Sequence, residues 1–419
     1  MPTIDDFVRP KEWVSDFVSD LGKVLRRWGE ERYVPIRQQV DEDWREHKLI
    51  EPMLKEVLVD LGLNAAFFPA EAGGTDMPEP VTLVTVICEE LARIDSGFCT
   101  ACICSVWGLM PILLKPHRNM ELSVEFGKKF CGDELYMGCH AMTEPSSGAD
   151  IENIGRMRGK TIQTTATLDG DEWVINGHKL WPSNSGKTGD LFSVVCTTKR
   201  GSTDPNDFAL IMVPADAEGV SVGGPYQKCG MNADMNTDIW FENVRVPKRY
   251  RAHGPGDDLK YWKRAISLGN VGSAAMCVGI MKAAYEIIKK WTSERVIGGK
   301  PLKEHSMVAE MLCDVAMSIE STSSWMWAYA REMDNPDIYG WQPWDERFLL
   351  KSRGLALHAN NAVERVCSRV MDYMGSYGYS REFDIEKHWR DQKVIGIWMG
   401  GKGLKTLENA RYWFDLETL

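Results

Sequence analysis

The residues whose types and spacing best suit chemistry lie between Tyr373 and Gly403. A glycine-rich turn, Met374-Gly375-Ser376-Tyr377-Gly378-Tyr379, leads to a charged helix start, Glu386-Lys387-His388-Trp389-Arg390-Asp391, and the stretch closes on Gly400-Gly401-Lys402-Gly403. Glycine at such turns removes the Cβ and lets backbone amides approach a bulky anionic ligand. Cys99, Cys102 and Cys104 are close together, but no second Cys or His pair accompanies them. They read as reduced core or pocket thiols, and no metal site is expected. Eleven cysteines scattered through the chain, rather than framed in pairs, suit a reducing cytoplasm.

The elements that must position these residues show in the periodicity. The 419 residues give room for two or three domains and a large core. An excess of acid, 60 Asp and Glu against 49 Lys and Arg, argues against a nucleic-acid partner and leaves room for a local basic pocket. The opening MPTIDDFVRPKEW has no secretory pattern, and no apolar run reaches the length of a membrane span. Residues 1–133 read as helical: Val84, Ile87, Cys88, Leu91 and Ile94 recur at helical steps, and the apolar run from Phe98 to Leu114 reads as one buried helix. Residues 134–250 read as a β domain, with Asp169-Gly170 and Asn176-Gly177 as hairpin signals. No βαβ alternation or strand-to-helix glycine fingerprint appears, which disfavours a Rossmann domain. From 251 to 419 the helical period returns: Leu355, Ala359, Ala362, Val363, Val366 and Val370 share one face, and Met307, Met311, Val315 and Met317 suggest another.

Four segments, in order, resemble motifs of the flavin-dependent acyl-CoA dehydrogenase family. Met142-Thr143-Glu144-Pro145-Ser146-Ser147-Gly148-Ala149-Asp150 is similar to its T-E-P-x-x-G-S-D loop, and Trp173 to Asn184 to its W-x-I-N-G-x-K-x-W-I-T-N hairpin. Glu294-Arg295 with Gly299-Lys300-Pro301-Leu302 resembles E-R-x-x-F-G-x-x-L, and the Tyr373–Gly403 stretch resembles the C-terminal signature. The resemblance implies an α+β multidomain fold: an all-α N-terminal domain, a β-barrel or sandwich middle domain and a C-terminal four-helix bundle. It implies FAD as cofactor, an acyl-CoA substrate, an electron-transfer flavoprotein as partner and a homotetramer. By the same resemblance Met142 and Thr143 meet the flavin edge, Trp181 covers one ring face and the Ser183 hydroxyl reaches towards N5. Arg295 is the pyrophosphate partner, reaching into a neighbouring subunit, and Asp372, Ser376 and Gly401 lie near the dinucleotide. Cys99, Lys263, Trp398 and Met399 are the substrate-side positions.

The resemblance also carries a vacancy. The family's commonest base is the Glu of Y-E-G-T, where this chain has Trp398-Met399-Gly400-Gly401, and a thioether cannot take a proton. The second seat of that Glu, ahead of the first C-terminal helix, falls on Trp262 or Lys263. Three readings stand open. A relocated base, with Asp95 of Arg93-Ile94-Asp95-Ser96-Gly97 as candidate, would resemble the cyclohexene-carboxyl-CoA dehydrogenases of anaerobic bacteria and their 1,4-elimination; Trp107, Trp262, Trp398 and Phe98 would suit a ring-shaped acyl group. A decarboxylating or reductive enzyme would need no such base, although Cys99 stands where decarboxylating relatives carry Arg. A catalytically degenerate subunit that binds flavin or acyl-CoA, or acts as a scaffold, is the third, and a pure scaffold would have no chemical need for Trp181, Ser183 and Arg295.

Overall fold

A computed structural model describes residues 2–153 and 162–416. The N-terminal part is helical: α1 (Asp16–Trp28), α2 (Arg37–Glu42), α3 (Ile50–Lys55), α4 (Pro80–Ile94), α5 (Ser96–Trp107), α6 (Met110–Leu113) and α7 (Met120–Phe130). Local chemistry sets their starts. Ser15 caps α1 by accepting from Val18 N, Pro80 opens α4, Asp95 caps α5 and Asn119 caps α7. The expected apolar face on α4 extends all round the helix, because neighbours cover every side. The single helix expected from Phe98 to Leu114 is instead two, broken at Gly108. A Cβ there would lie 2.7 Å from Ser193 Oγ and 2.9 Å from His140 Cβ, so the chain turns where the sheet presses closest.

The middle part is a sheet of β1 (Gly138–Ala141), β2 (Thr165–Asp169), β3 (Glu172–Ser183), β4 (Leu191–Thr197), β5 (Phe208–Pro214), β6 (Val220–Val222) and β7 (Asn236–Pro247). β4 is parallel to β1 and antiparallel to β5, and β3 is antiparallel to β2 and β7, with β6 along the far side of β7. Gly170, at φ 61°, sits in the two-residue β2–β3 hairpin that Asp169-Gly170 announces. Asn176-Gly177 is no turn. It lies inside β3, where the register against β7 shifts, and a Cβ on Gly177 would come 2.4 Å from Thr164 Oγ1. The glycine serves a bulge.

The C-terminal part is α8 (Asp257–Glu294), the small hairpin β8 (Val296–Ile297) and β9 (Lys300–Pro301), then α9 (Ser306–Asp334), α10 (Glu346–Met374), α11 (Ile385–Ile395) and α12 (Gly401–Phe414). The apolar window of α8 is long enough to cross a membrane, but 83% of it is buried here against α4, α9 and α10. The expected apolar face of α10 is buried, whereas Met307 and Met317 of α9 point outward.

One apolar core runs through both helical parts and onto the sheet; a second lies within the sheet. At the crossing of α4 and α8 the backbones meet directly: a Cβ on Gly279 would fall 2.3 Å from the Glu89 carbonyl oxygen. Beside it Lys282 of α8 meets Glu89 of α4 at 2.5 Å, and Arg9 reaches the same carboxylate at 2.9 Å. Gly279→Ala should therefore push the two helices apart and lower stability by about 1–3 kcal/mol, as overpacking does. Chemical denaturation checks this; an unchanged midpoint would mean that the helices separate freely.

Candidate active site

Between the sheet, α4, α5, α8 and the segment after α11 lies a mainly apolar cavity of about 810 Å³. Its sheet-side wall is built by the two central motifs acting on each other. Glu144 accepts from Gln163 N and Thr164 N at 2.7 and 2.9 Å and pairs with the fully buried Lys179 at 2.8 Å. Lys179 also donates to Met142 O at 2.8 Å, and Leu180 N donates to Thr143 O. A charge on either partner alone would be costly in this interior, so the pair holds the Met142-Thr143 edge at a fixed distance from β3.

Beyond Leu180 the β3–β7 register shifts again, and Trp181 is thrown out of the strand at φ 63°. A bulky residue in the left-handed region is a strained one, and bulges beside sites re-aim side chains. The indole is 49% exposed, with Tyr226 behind it at 3.9 Å and the cavity in front. Asn236 Nδ2 donates to Trp181 O at 2.8 Å, which fixes the bulge. Two residues on, Ser183 Oγ donates to Asp234 Oδ2 at 2.8 Å, and Asn184 N donates to Asp234 Oδ1 at 3.1 Å. Burial pushes the Asp234 carboxyl up, against the pull of Lys228 and these hydrogen bonds.

On the helical side Trp107, Trp398, Met399 and Gly400 face the cavity. Trp107 Nε1 donates to Ala265 O and Trp398 Nε1 to Ser273 Oγ, so both indoles are anchored to α8. Met399 and Gly400 have φ of 48° and 78°, and the Met399 thioether lies over Gly269 of α8, 3.0 Å from where its Cβ would be.

Several residues singled out in the sequence are on this wall: Met142, Thr143, Ala149, Trp181, Ser183, Trp398 and Met399. Others are elsewhere. Trp262 is buried behind the wall and donates from Nε1 to His140 Nε2 at 3.0 Å. That leaves the His140 Nδ1–H to donate to Ser193 Oγ at 2.8 Å, and burial lowers the imidazole to about 3, so it stays neutral. Phe98 stacks on Trp28 and meets Tyr33 at a tilt inside the N-terminal helices. Cys99 is buried off the cavity, while Cys88 and Cys104 border it. Lys263 is half-buried on α8, off the wall, and Gly401 starts α12 one residue behind it. Arg295, Asp372 and Ser376 are exposed, away from the cavity, with Arg295 over the Tyr377 ring at 5.9 Å.

Asp95 is also off the wall, and its oxygens are engaged. Oδ1 accepts from Gly97 N and Phe98 N at 2.7 and 3.0 Å; Oδ2 accepts from Tyr33 Oη at 2.9 Å and pairs with Lys387 at 2.8 Å. Burial works to raise this carboxyl, but Lys387 and the donors outweigh it and hold it below the usual range. The expectation that it faces the acyl pocket is corrected: it caps α5 and anchors α11. The residues the sequence reading passed over are Glu144, Lys179, His140 and Asp234. The first two stood inside quoted motifs; the other two carry no local signal.

A half-exposed indole beside a strained bulge, a hydroxyl at its edge and the Gly148-Ala149 backbone opposite suit a planar redox ring with a phosphate tail. Helices, sheet and helices around such a cleft define a flavin-dependent oxidoreductase. Models of the acyl-CoA dehydrogenase N-terminal, middle and C-terminal domains match residues 18–115, 139–244 and 259–407, and the chain belongs to the acyl-CoA dehydrogenase family. Its cofactor is FAD, which supplies a two-electron acceptor, and it acts on acyl-CoA thioesters. The chain is similar to the cyclohexane-1-carbonyl-CoA dehydrogenase of Syntrophus aciditrophicus, at 26% identity over 92% of this chain and 94% of that protein. It is 27% identical to the cyclohex-1-ene-1-carbonyl-CoA dehydrogenase of Geobacter metallireducens, over 87% and 90%. Butyryl-CoA dehydrogenase from Megasphaera elsdenii shares the fold with a TM-score of 0.81 at 22% identity, over 96% of this chain and 99% of that one.

The placement of Asp95 makes a stability prediction. Asp95→Asn should cost about 3 kcal/mol near neutral pH, because a buried cation loses a counter-charge. The carboxyl is depressed in the folded state, so its contribution is present above its unfolded value, about 3.9, and is lost as pH falls through the folded value. Denaturation curves of wild type and variant should therefore converge in acid. Equal stability at neutral pH would reverse the assignment.

Proposed function

We propose that this chain oxidises a ring-bearing acyl-CoA thioester, with a substrate whose own unsaturation acidifies the departing proton. The observation that carries the reading is Met399 on the cavity wall: the position from which relatives present a carboxylate presents a thioether, and the second seat presents an indole turned away to His140. A proton that is weakly acidic, as at the α-carbon of a saturated chain, needs a strong base held against it. A proton activated through a conjugated ring needs less, and a 1,4-elimination moves it to a different carbon. The wall suits such a group. Trp107, Trp398 and Met399 are broad and apolar, and on α8 Gly269 and Gly272 leave room between them and Met276. The two ring-substrate dehydrogenases among the relatives point to the same class.

Anaerobic mixing of the FAD-loaded enzyme with cyclohexene- or cyclohexadiene-carboxyl-CoA should bleach the flavin absorbance, and saturated straight-chain acyl-CoA should do so far more slowly. Met399→Glu should raise the straight-chain rate by about a hundredfold, the usual contribution of a positioned general base. Rapid straight-chain bleaching by the unmodified enzyme would sink the reading.

The electron partner in this reading is an electron-transfer flavoprotein, and the working form is a homotetramer. Arg295 and Ser376 gather around Tyr377 beside the exposed apolar Val296 and Ile297, with Asp372 on the last turn of α10, and Met307 and Phe414 expose 73% and 75% of their surface. Such surface suits burial against a second copy, from which Arg295 serves the neighbour's cofactor. Arg295→Ala should then weaken FAD retention during dialysis while sedimentation still shows a tetramer. A monomeric wild type that retains FAD would remove this part of the reading.

A further inference from the structure

Two carboxyl residues border the cavity among the described residues, Asp234 and Glu152. Glu152 has a fully covered side chain, held on Arg353 at 2.8 Å, and Arg353 is also paired with Glu408. Its place is structural. Asp234 differs in three respects. Its side chain keeps 5% exposure, its hydrogen-bond donors are a neutral hydroxyl and a neutral amide, and the nearest cation, Lys228, stands 4.0 Å away. Lys228 is committed to other acceptors, donating to Met231 O at 2.8 Å, to Asp234 O at 2.5 Å and to Asn236 Oδ1. The Ser183 hydroxyl that reaches Asp234 is itself on the cavity wall, two residues from Trp181. A ring lying on the indole therefore has the Ser183 side of the bulge along its edge.

We propose that Ser183 and Asp234 form a proton relay, in which the Ser183 hydroxyl takes up a proton released in the cavity during each oxidation cycle and passes its own to Asp234. This rests on the flavin-dependent reading above and adds to it a residue that relatives are not needed to suggest. Oxidising one carbon–carbon single bond to a double bond releases two electrons and two protons from two C–H bonds. The electrons leave through FAD to an external one-electron protein acceptor, two turnovers of it per substrate. One of the two protons must leave from the cofactor's end of the cavity. Ser183 Oγ forms a bond to that proton as its original O–H bond breaks towards Asp234 Oδ2, so serine ends neutral and aspartate ends as the acid, which releases the proton to water through its 5% exposed edge before the next cycle. Burial raises the Asp234 carboxyl, which brings proton uptake closer to the working pH. The other titratable groups facing it are Lys228 on the loop before β7, the Cys104 thiol of α5 and the Cys139 thiol of β1; burial pushes both thiols up, so they remain protonated. Lys228 in turn feels Asp391, Asp95 and Lys387, which places the relay in front of the charge cluster that anchors α11.

The experiment reoxidises the enzyme without any acyl-CoA. FAD-loaded protein is photoreduced, mixed with ferricenium in a stopped-flow instrument and followed by flavin absorbance from mildly acidic to neutral pH. The wild-type rate should rise with pH, as Asp234 becomes the carboxylate that accepts the proton. Asp234→Asn should be about a hundredfold slower and flat with pH. Ser183→Ala should be slowed likewise although its carboxyl is intact, and it decides the matter alone if the Asn variant fails to fold or to hold FAD. Variants that carry FAD and keep the wild-type rate and pH profile overturn the relay and leave the substrate reading standing. A wild type that cannot be loaded with FAD overturns both.

Discussion

The structure turns on one buried ammonium. Lys387 of α11 lies 2.5 Å from Asp391, 2.8 Å from Asp95 and 3.8 Å from Asp41, and almost none of it reaches solvent. Burial works to lower that cation, and the three carboxylates outweigh it and raise it. Each of those acids belongs to a different helix or helix start. Asp41 is on α2, where it also receives Arg390 and Asn232; Asp95 starts α5 and receives Tyr33; Asp391 accepts from Met231 N on the loop that leads into β7. An uncompensated charge here would be expensive, so N-terminal helices, sheet and C-terminal helix are drawn to one point. Asp234, three residues after Met231, and Lys393, two after Asp391, are on the cavity because their neighbours are held there.

Much of this was legible in the sequence, and the reasons differ element by element. The helix–sheet–helix order follows from period alone, and residue identity picks out the motif segments whose Trp181, Ser183 and Thr143 share one cavity wall. Phe98 to Leu114 was misread because an apolar run does not show where a neighbouring strand will crowd it; Gly108 breaks the helix for the sake of His140 and Ser193. Asn176-Gly177 has the composition of a turn and the role of a bulge, which depends on β7, about 65 residues later in the chain. Asp95 had the residue type of a base. Its true partners, Tyr33 and Lys387, are 62 residues before it and nearly 300 after it, beyond any local pattern. Arg295, Asp372 and Ser376 are exposed and away from the cavity, and their assignment rests on motif resemblance and on the assembly proposed above.

Chemically the cavity is divided. The sheet side is held by polar contacts: the Glu144–Lys179 pair, the Asn236 clamp on Trp181 and the Ser183–Asp234 bond. The helical side is more apolar around Trp107, Trp398 and Met399, with Arg390 and Lys393 of α11 at its edge, and its indoles are tied to α8 through single hydrogen bonds. The two walls are thus held in different ways. Preorganised polar groups suit a ligand that stays, whereas a soft apolar wall suits one that must enter and leave.

That division bears on how such a protein changes over generations. Glu144 and Lys179 are locked together, so neither can drift without stranding its partner's charge. Met399 is bound by nothing of the kind; among the described residues its side chain makes no hydrogen bond or ion pair, and its left-handed backbone is followed by two glycines that keep the turn's shape. On the reading proposed above, an exchange at 399 would change the kind of proton the enzyme can remove and leave the sheet side of the cavity untouched.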